Sequence, residues 1–251
     1  MTKHKNAIAL LSATAIMLTG SLVVAEDENP DFTKFFGGLT LTDGNSDTMN
    51  ASLGAGTRKT NGDNAFLADL LFSYGESTIK TVAADGSVSE EDVTTTENLA
   101  ANAQYNRTFS DPVYGFVKGS FLYDDINLID YRVTVGPGLG TVFGPFSLEA
   151  GVVFITEDVG DVSDDYIALR FAEKSEHVLS EGATFYQSVE FIPSVDDFSD
   201  DYLINAKVGV DAAINSTLSL TVFALEKYDN TPAAGQDESD LTINAGVTYN
   251  L

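Results

Sequence analysis

A strict alternation of apolar and polar residues is the feature that most constrains the fold of this chain. From Leu241 to Leu251 every second side chain is apolar, and the positions between them hold Thr, Asn or Gly. A period of two places successive side chains on opposite sides of a β-strand. One apolar face and one polar face are typical of a strand between lipid and water. Since hydrocarbon offers the backbone no hydrogen-bond partners, such strands must close into a barrel.

The same alternation occurs earlier in the chain, near residues 201–213 and 47–58. In the first of these segments Tyr202, Ile204 and Val208 share one face, and Lys207 and Asp211 lie on the other. A soluble β-sandwich would bury its apolar faces against each other. Charged side chains on the second face would not be tolerated in an apolar core without partners. The pattern therefore favours a barrel with a lipid-facing exterior and a polar interior.

Turn-forming residues divide the chain into twelve predicted strands of about 10 to 16 residues, long enough for tilted membrane spans. The strands are predicted near residues 32–42, 47–58, 64–79, 94–109, 113–124, 129–143, 145–157, 165–175, 182–194, 201–213, 217–228 and 240–251. An even number leaves both chain ends on the periplasmic side. The predicted fold class is all-β, a closed antiparallel transmembrane β-barrel of about twelve strands.

The predicted connections fall into two sets. Short ones follow the even-numbered strands, including one around residues 176–182, and most of the others are longer: 80–93, 124–128, 158–164, 195–200 and 229–239. Short periplasmic turns and longer extracellular loops are expected of this architecture. The segments predicted to face outward contain 22 of the 38 acidic residues, and Lys80 is their only basic residue. We therefore expect strongly acidic extracellular loops. Aromatic residues near strand ends predict girdles at both membrane interfaces, at Tyr74, Tyr105, Phe109, Tyr123, Phe143, Tyr228 and Tyr249.

The N-terminus predicts export. Residues 1–25 combine a basic start, an apolar stretch and small residues before Glu26, which is typical of a cleaved signal peptide. We expect a short acidic segment at 26–31 and a barrel domain at 32–251, in the outer membrane of a Gram-negative cell. Without the signal peptide the chain has 11 basic and 38 acidic residues, a net charge of −27, which excludes nucleic acid as a natural partner. The chain has no Cys, so no disulfide can staple it.

Several short motifs in this order resemble those of a bacterial family of salt-induced outer-membrane proteins of unassigned biochemical function. The motifs are Gly44-Asn-Ser-Asp47, Tyr74-Gly-Glu76, Tyr123-Asp-Asp125, Asp130-Tyr-Arg132, Gly136-Pro-Gly-Leu-Gly140, Tyr228-Asp-Asn-Thr-Pro232 and Tyr249-Asn-Leu251. The resemblance runs from about residue 36 to the end. It implies an outer-membrane barrel and no particular reaction. The chain departs from the usual pattern at its end, where Leu251 replaces a terminal aromatic residue.

Catalytic and cofactor motifs are absent from the sequence. The chain without its signal peptide contains a single histidine, His177, in a predicted periplasmic turn, where a solvated side chain is far commoner than a catalytic one. No nucleophile elbow, zinc-protease motif or phosphate-binding glycine loop appears. The glycine run 136–140 is in a predicted strand with no following helix, so close strand packing or a bend explains it better than a phosphate site. We predict no enzyme activity and no cofactor.

The expected partners are those of an envelope barrel: outer-membrane lipid and lipopolysaccharide, and the barrel-assembly machinery. Oxygen ligands in acidic loops such as 158–165 suit divalent cations, which would bridge the protein to anionic lipopolysaccharide. The alternative is a solvated acidic surface suited to a saline habitat. No residue in these loops has a spacing that identifies it as a metal ligand.

Charged residues on the predicted interior face form the candidate functional site. Acidic and basic members are balanced, namely Asp69, Glu149, Glu190 and Asp211 with Lys118, Arg132, Arg170 and Lys207. One hypothesis is a small conduit whose acidic mouth favours cations, linked to salt or osmotic stress. The alternative is a closed structural barrel whose paired charges plug the interior and whose loops serve envelope integrity. Loop 80–93 is a candidate for closing the lumen. An outer-membrane enzyme is a third hypothesis, which the missing histidine chemistry disfavours.

Overall fold

The computed structural model describes residues 31–42, 47–82 and 87–251. The predicted signal peptide, most of the acidic segment before the barrel and the first outer connection lie outside these residues. The described residues form twelve strands: β1 (Phe32–Thr42), β2 (Asp47–Asn61), β3 (Asn64–Val82), β4 (Val88–Ser110), β5 (Val113–Asp124), β6 (Ile129–Phe143), β7 (Phe146–Val159), β8 (Val162–Ser180), β9 (Ala183–Pro193), β10 (Tyr202–Ala213), β11 (Leu218–Asp229) and β12 (Ser239–Asn250). No helix in this part of the chain is long and apolar enough to cross a membrane.

Each strand pairs with its sequence neighbours, and the first and last strands close the ring. All pairings are antiparallel, and β1 joins β12 through four register pairs, from Lys34 with Asn250 to Gly37 with Val247. Closure leaves no unpaired sheet edge around the wall, as a hydrocarbon environment demands. The predicted fold class, a closed antiparallel barrel of twelve strands, is confirmed.

Side-chain exposure follows the predicted alternation. On β12, Ile243 is 67% exposed and its neighbour Thr242 is 3% exposed. On β2, Leu53 is 65% exposed and the adjacent Ser52 is 7% exposed. Exposed apolar side chains continue around the wall, on strands from β1 to β12. A continuous apolar exterior of this size has no place in a water-soluble monomer and suits contact with lipid chains.

Three hairpins are longer than the sequence suggested. The predicted outer loop 80–93 is wrong over most of its length, because β3 and β4 run on to Val82 and from Val88 as paired strands. No residue of β4 before Asn98 pairs with β5, and among the described residues β3 pairs with β2 only as far as Thr78, opposite Asp47. The end of the hairpin, residues 79–82 and 88–91, therefore extends past both neighbouring strands. Lys80 supports this hairpin with two ion pairs. One joins it to Glu90 across the hairpin at 3.7 Å, and the other to Asp47 on the neighbouring β2 at 3.0 Å.

The predicted connections at 158–164 and 176–182 are also mostly strand. β7 and β8 continue to Val159 and from Val162, and the turn between them holds Gly160 and Asp161 at φ values of 59° and 64°. At its other end β8 runs to Ser180. Acidic and polar residues misled the prediction in these segments, because a hairpin satisfies its own backbone hydrogen bonds and tolerates polar residues on both faces in water.

Glycines on the inward face of β6 make room for aromatic rings. Phe116 and Tyr114 of β5 lie opposite Gly138 and Gly140 and cover them, so that a Cβ atom at either glycine would overlap the ring. A Cβ at Gly138 would also come within 2.6 Å of the Ala150 carbonyl oxygen. The predicted cause of this glycine run, close strand packing, is confirmed. The rings it admits form part of the interior.

Candidate functional site in the barrel lumen

Arg170 is the centre of the interior. Its side chain is only 1% exposed, and its guanidinium Nη1 donates a hydrogen bond to Glu149 Oε2 at 2.9 Å. The Nε atom of Arg170 donates to Glu190, which also accepts a 2.6 Å hydrogen bond from Lys118 Nζ. Two buried acids therefore share two buried bases. Such pairing is the condition under which charges are tolerated away from water.

Lys118, Glu149, Arg170 and Glu190 form what we call the central ionic network. Polar neighbours donate further hydrogen bonds to its carboxylates. Gln104 donates to Glu149 at 2.8 Å, the Tyr114 hydroxyl donates to the same carboxylate at 2.9 Å, and Asn205 donates to Glu190 at 3.3 Å. These groups come from strands β4 to β10. Because β5 and β9 are four places apart in the ring, the contact of Lys118 with Glu190 crosses the lumen.

Three more of the predicted interior charges lie beside this network. Asp69 is 6% exposed and accepts a 2.9 Å hydrogen bond from Asn102. Lys207, also buried, places its Nζ atom 5.1 Å and 5.0 Å from the ring centres of Tyr186 and Phe223, a cation–π arrangement. Asp211 faces inward and is half-buried.

Arg132, the last predicted member, lies nearer the end of the barrel that was predicted to be extracellular. It binds Glu157 on the adjacent β7 and reaches Asp229 on β11 at 2.7 Å. β6 and β11 are five places apart in the ring, so this pair also crosses the lumen. Lys227 and Asp124 approach to 4.0 Å from strands on opposite sides of the ring. The structure thus joins four of the eight predicted charges directly, in the central ionic network. Arg132 pairs instead with two acids that were not predicted, Glu157 and Asp229.

Apolar side chains fill much of the lumen beside these charges, which was not predicted from the sequence. One cluster consists of five buried residues: Phe36, Leu71, Tyr186, Phe223 and Leu225. A second lies closer to the β7–β8 turn and consists of Val153, Ile155, Ala168, Ile192 and Leu203. All occupy the same strand parity as the polar interior residues. That parity was the available signal, because an apolar residue in register with a polar face must point inward.

A cavity of about 150 Å³ lies between the central ionic network and the loop that joins β11 to β12. Its walls carry charged residues of both signs: Lys118, Asp124, Arg132, Glu190, Lys207, Lys227 and Asp229. Above them are residues of the β11–β12 loop, 230–238, whose Pro232, Ala233 and Gln236 also line the cavity. The volume suffices for several water molecules among polar partners.

The β11–β12 loop covers this cavity. Ala233 is 8% exposed and lies against Gly160 in the β7–β8 turn, so the loop reaches toward the far wall. Asn230 anchors it by donating to the Asp200 carbonyl oxygen at 2.8 Å. The prediction that loop 80–93 could close the lumen is wrong in its described part, because those residues form the hairpin whose end extends past both neighbouring strands.

His177 is on the outward face of β8 and not in a turn. Its ring contacts Phe146 and Phe185, with ring centres 5.8 and 6.2 Å away. The imidazole thereby joins a group of aromatic rings near the β8–β9 turn, at the end of the barrel predicted to face the periplasm. Over the described ranges, no three His, Asp or Glu side chains are grouped as metal ligands.

Comparison with known families assigns the chain. Residues 37–251, from β1 to the end of the barrel, match the sequence profile described as "Protein of unknown function, DUF481". The chain belongs to this family. The DUF481 description carries no activity and no inducing condition. No curated protein matches the chain in sequence.

Solved structures similar to this DUF481 protein are outer-membrane barrels. The NanC porin shares 8% identity, with 88% of this chain and 100% of that chain covered and a TM-score of 0.51. The translocator domain of the autotransporter NalP from Neisseria meningitidis shares 13% identity over 87% and 86% of the two chains, with a TM-score of 0.48. The outer-membrane channel DcaP of Acinetobacter baumannii shares 9% identity over 88% and 96%, with a TM-score of 0.40. At these identities the likeness to NanC shows the fold alone.

Proposed function

We propose that this DUF481 protein is a non-enzymatic integral outer-membrane barrel with a closed lumen. In this proposal its loops and its outer wall contribute to the integrity of the cell envelope, and it does not act as an open pore. The observation that carries this proposal is the crossing of the lumen by Lys118 with Glu190 and by Arg132 with Asp229. Buried apolar residues occupy the space beside these pairs. A free aqueous path has no room in such an interior, and opening one would separate paired charges.

Two observations support the proposed lack of enzyme activity. The charges of the central ionic network are engaged with each other, and His177 faces outward between two phenylalanine rings. A nucleophile needs a base within hydrogen-bond reach and a group that orients the base. Nothing in the interior contacts described above supplies that arrangement.

The acidic loops support a role under salt stress as part of the same proposal. The 22 acids of the predicted outer segments would keep the extracellular surface hydrated when ionic strength is high. Divalent cations shared with lipopolysaccharide are the second partner class for these loops.

A cation-preferring conduit is the competing proposal, favoured by one observation. The cavity beneath the β11–β12 loop continues the acidic mouth inward as far as Lys118 and Lys207. If the central ionic network rearranged, this cavity would become the outer half of a path. The conduit would then prefer cations, because acidic residues surround its mouth.

Single-channel recording separates the two proposals. We expect the refolded chain, shown to be inserted by heat-modifiable migration, to give no discrete conductance steps in planar bilayers with KCl. Neutralising one partner of a crossing pair, in Lys118→Met, should introduce brief openings because the remaining carboxylate then draws in water. Discrete cation-selective steps from the unmodified chain, with a reversal potential that shifts in Arg132→Met, would contradict the closed lumen and establish the conduit.

A further inference from the structure

A groove of about 610 Å³ runs across the outward face of β5 to β9. Its walls are almost entirely apolar and include Leu139, Leu148, Phe171 and Val189, all 44–60% exposed. Ala150 lies between them, and its small side chain leaves the depression. The depression is shallow and open along the outer wall, so an occupant would lie along it with one side in the lipid.

Glu173 is the one carboxylate on the outward face of this groove. Its register partners on the two adjacent strands are Leu148 and Val189, so it has apolar neighbours on both sides. Its Oε1 atom is buried and has no hydrogen-bond partner among the described residues. Ionisable side chains that face lipid are costly and rare. A carboxylate in this position therefore requires a cationic partner that the wall itself does not supply.

The depth of Glu173 indicates the source of that partner. It pairs with Leu148, the third residue of β7, and lies about 10 Å along the sheet from the turn at Gly144 and Pro145. His177 with its two phenylalanines lies still nearer the periplasmic end. Aromatic belts mark the headgroup level. The carboxylate is thus just inside that level, where headgroups meet acyl chains.

We propose that the groove binds a phospholipid with a primary ammonium headgroup from the periplasmic leaflet, with the ammonium on Glu173 and an acyl chain along Leu139, Ala150 and Phe171. The inference rests on the proposed membrane location and is independent of the closed lumen. An ammonium provides both the opposite charge and the N–H donors that the buried carboxylate oxygen lacks. A quaternary ammonium supplies only the charge, and an anionic headgroup would be repelled.

Native mass spectrometry of the full barrel in detergent tests this assignment. Phosphatidylethanolamine is added to the wild type and to Glu173→Gln, and phosphatidylglycerol and phosphatidylcholine serve as comparison lipids. We expect one phosphatidylethanolamine to bind in preference to both other lipids. We expect that preference to fall roughly 10-fold in Glu173→Gln, which is the change in affinity that loss of one charge-assisted hydrogen bond produces.

Glu226→Gln is the matched control, since Glu226 also faces outward but accepts a hydrogen bond from Ser239 near the extracellular end. It should keep the wild-type preference. Ala150→Leu fills the groove without touching the charge and should weaken binding of the same lipid. Equal binding of all three lipids, or an unchanged preference in Glu173→Gln, would overturn the site. A dimer mass that depends on Glu173 would overturn it in favour of a second copy of the chain. Failure of the wild type to insert into vesicles would instead refute the membrane location.

Discussion

Arg170 shows at the scale of one residue how the interior is held together. One guanidinium serves two buried carboxylates, Glu149 and Glu190. Replacing it, in Arg170→Met, would leave an excess of buried negative charge. Removing one partner of a buried pair typically costs about 3–5 kcal/mol. We expect a loss of that order in the free energy of unfolding, measured by urea titration of the protein in lipid vesicles.

Arg107→Met provides the comparison for that measurement. Arg107 is exposed on β4, so the same change of side chain should alter stability by only about 0.5 kcal/mol. Equal effects of the two substitutions would show that the central ionic network does not stabilise the barrel.

Gly138 supports a second prediction at this scale. A methyl group there would overlap the Phe116 ring and approach the Ala150 carbonyl oxygen, so Gly138→Ala should destabilise the barrel by about 1–3 kcal/mol. Gly37→Ala is the control, because a Cβ at Gly37 has no atom within 4 Å. The urea midpoints of unfolding of Gly138→Ala and Gly37→Ala should differ clearly. Identical midpoints would mean that the packing of the Phe116 ring does not contribute to stability.

The direction of individual side chains could be predicted, but what fills the interior could not. Alternation placed Asp69, Arg170 and Lys207 on the inner face, and all three are buried there. Which bases meet which acids depends on the ring positions of distant strands, and a single sequence does not contain that information. Phe223 and Leu71 were missed because an apolar residue among polar neighbours was not counted as interior.

At the scale of elements, the β11–β12 loop determines access to the cavity. Since the chain contains no Cys, a single cysteine introduced at Asp124 would be the sole thiol. We expect Asp124→Cys to react slowly with a membrane-impermeant maleimide, because the loop covers the cavity that Asp124 lines. Replacing residues 231–237 by Asn-Gly should raise the labelling rate at least about 10-fold. That factor corresponds to lowering the free energy needed to expose the thiol by about 1.4 kcal/mol.

Val88→Cys, at a 60% exposed position on the β3–β4 hairpin, serves as the reference thiol for this labelling. Its rate should be high and independent of the loop. An unchanged rate at position 124 after shortening would mean that the loop does not control access to the cavity.

The elements themselves were the most predictable part of the molecule, and their outer ends the least. All twelve strands lie where alternation and turn residues put them. The predicted strand ends were wrong here because the acidic run Glu90, Glu91 and Asp92 is typical of a solvated loop. In the structure they are strand residues supported across the hairpin, as in the 2.7 Å hydrogen bond from Thr78 to Asp92.

At the scale of the whole molecule, net charge governs how the barrel responds to salt. With 11 basic and 38 acidic residues after the predicted signal peptide, like charges repel, and most bases are held in interior or rim ion pairs. Raising NaCl from 0.01 to 0.5 M shortens the Debye length from about 30 Å to well under 10 Å. We expect the free energy of unfolding to rise by about 1–2 kcal/mol as exposed repulsion is screened.

Neutralising exposed loop acids checks the origin of this effect. Asp196→Asn with Asp197→Asn, in the β9–β10 loop, should reduce the gain measured between the two salt concentrations. A wild-type barrel that loses stability as salt rises would show that the ion pairs, and not the surface repulsion, dominate its response.

The long β3–β4 hairpin sets how the protein presents itself to the outside of a cell. Ten residues of β4, from Val88 to Glu97, extend past the last pairing with β5, roughly 30 Å of strand. Its outer part, residues 88–91 with 79–82 of β3, also extends past the described pairing of β3 with β2. If the chain lies in the membrane as proposed, this acidic ribbon reaches into the medium. It is then the natural epitope of the molecule, and an antibody against residues 88–97 would stain intact cells without permeabilisation.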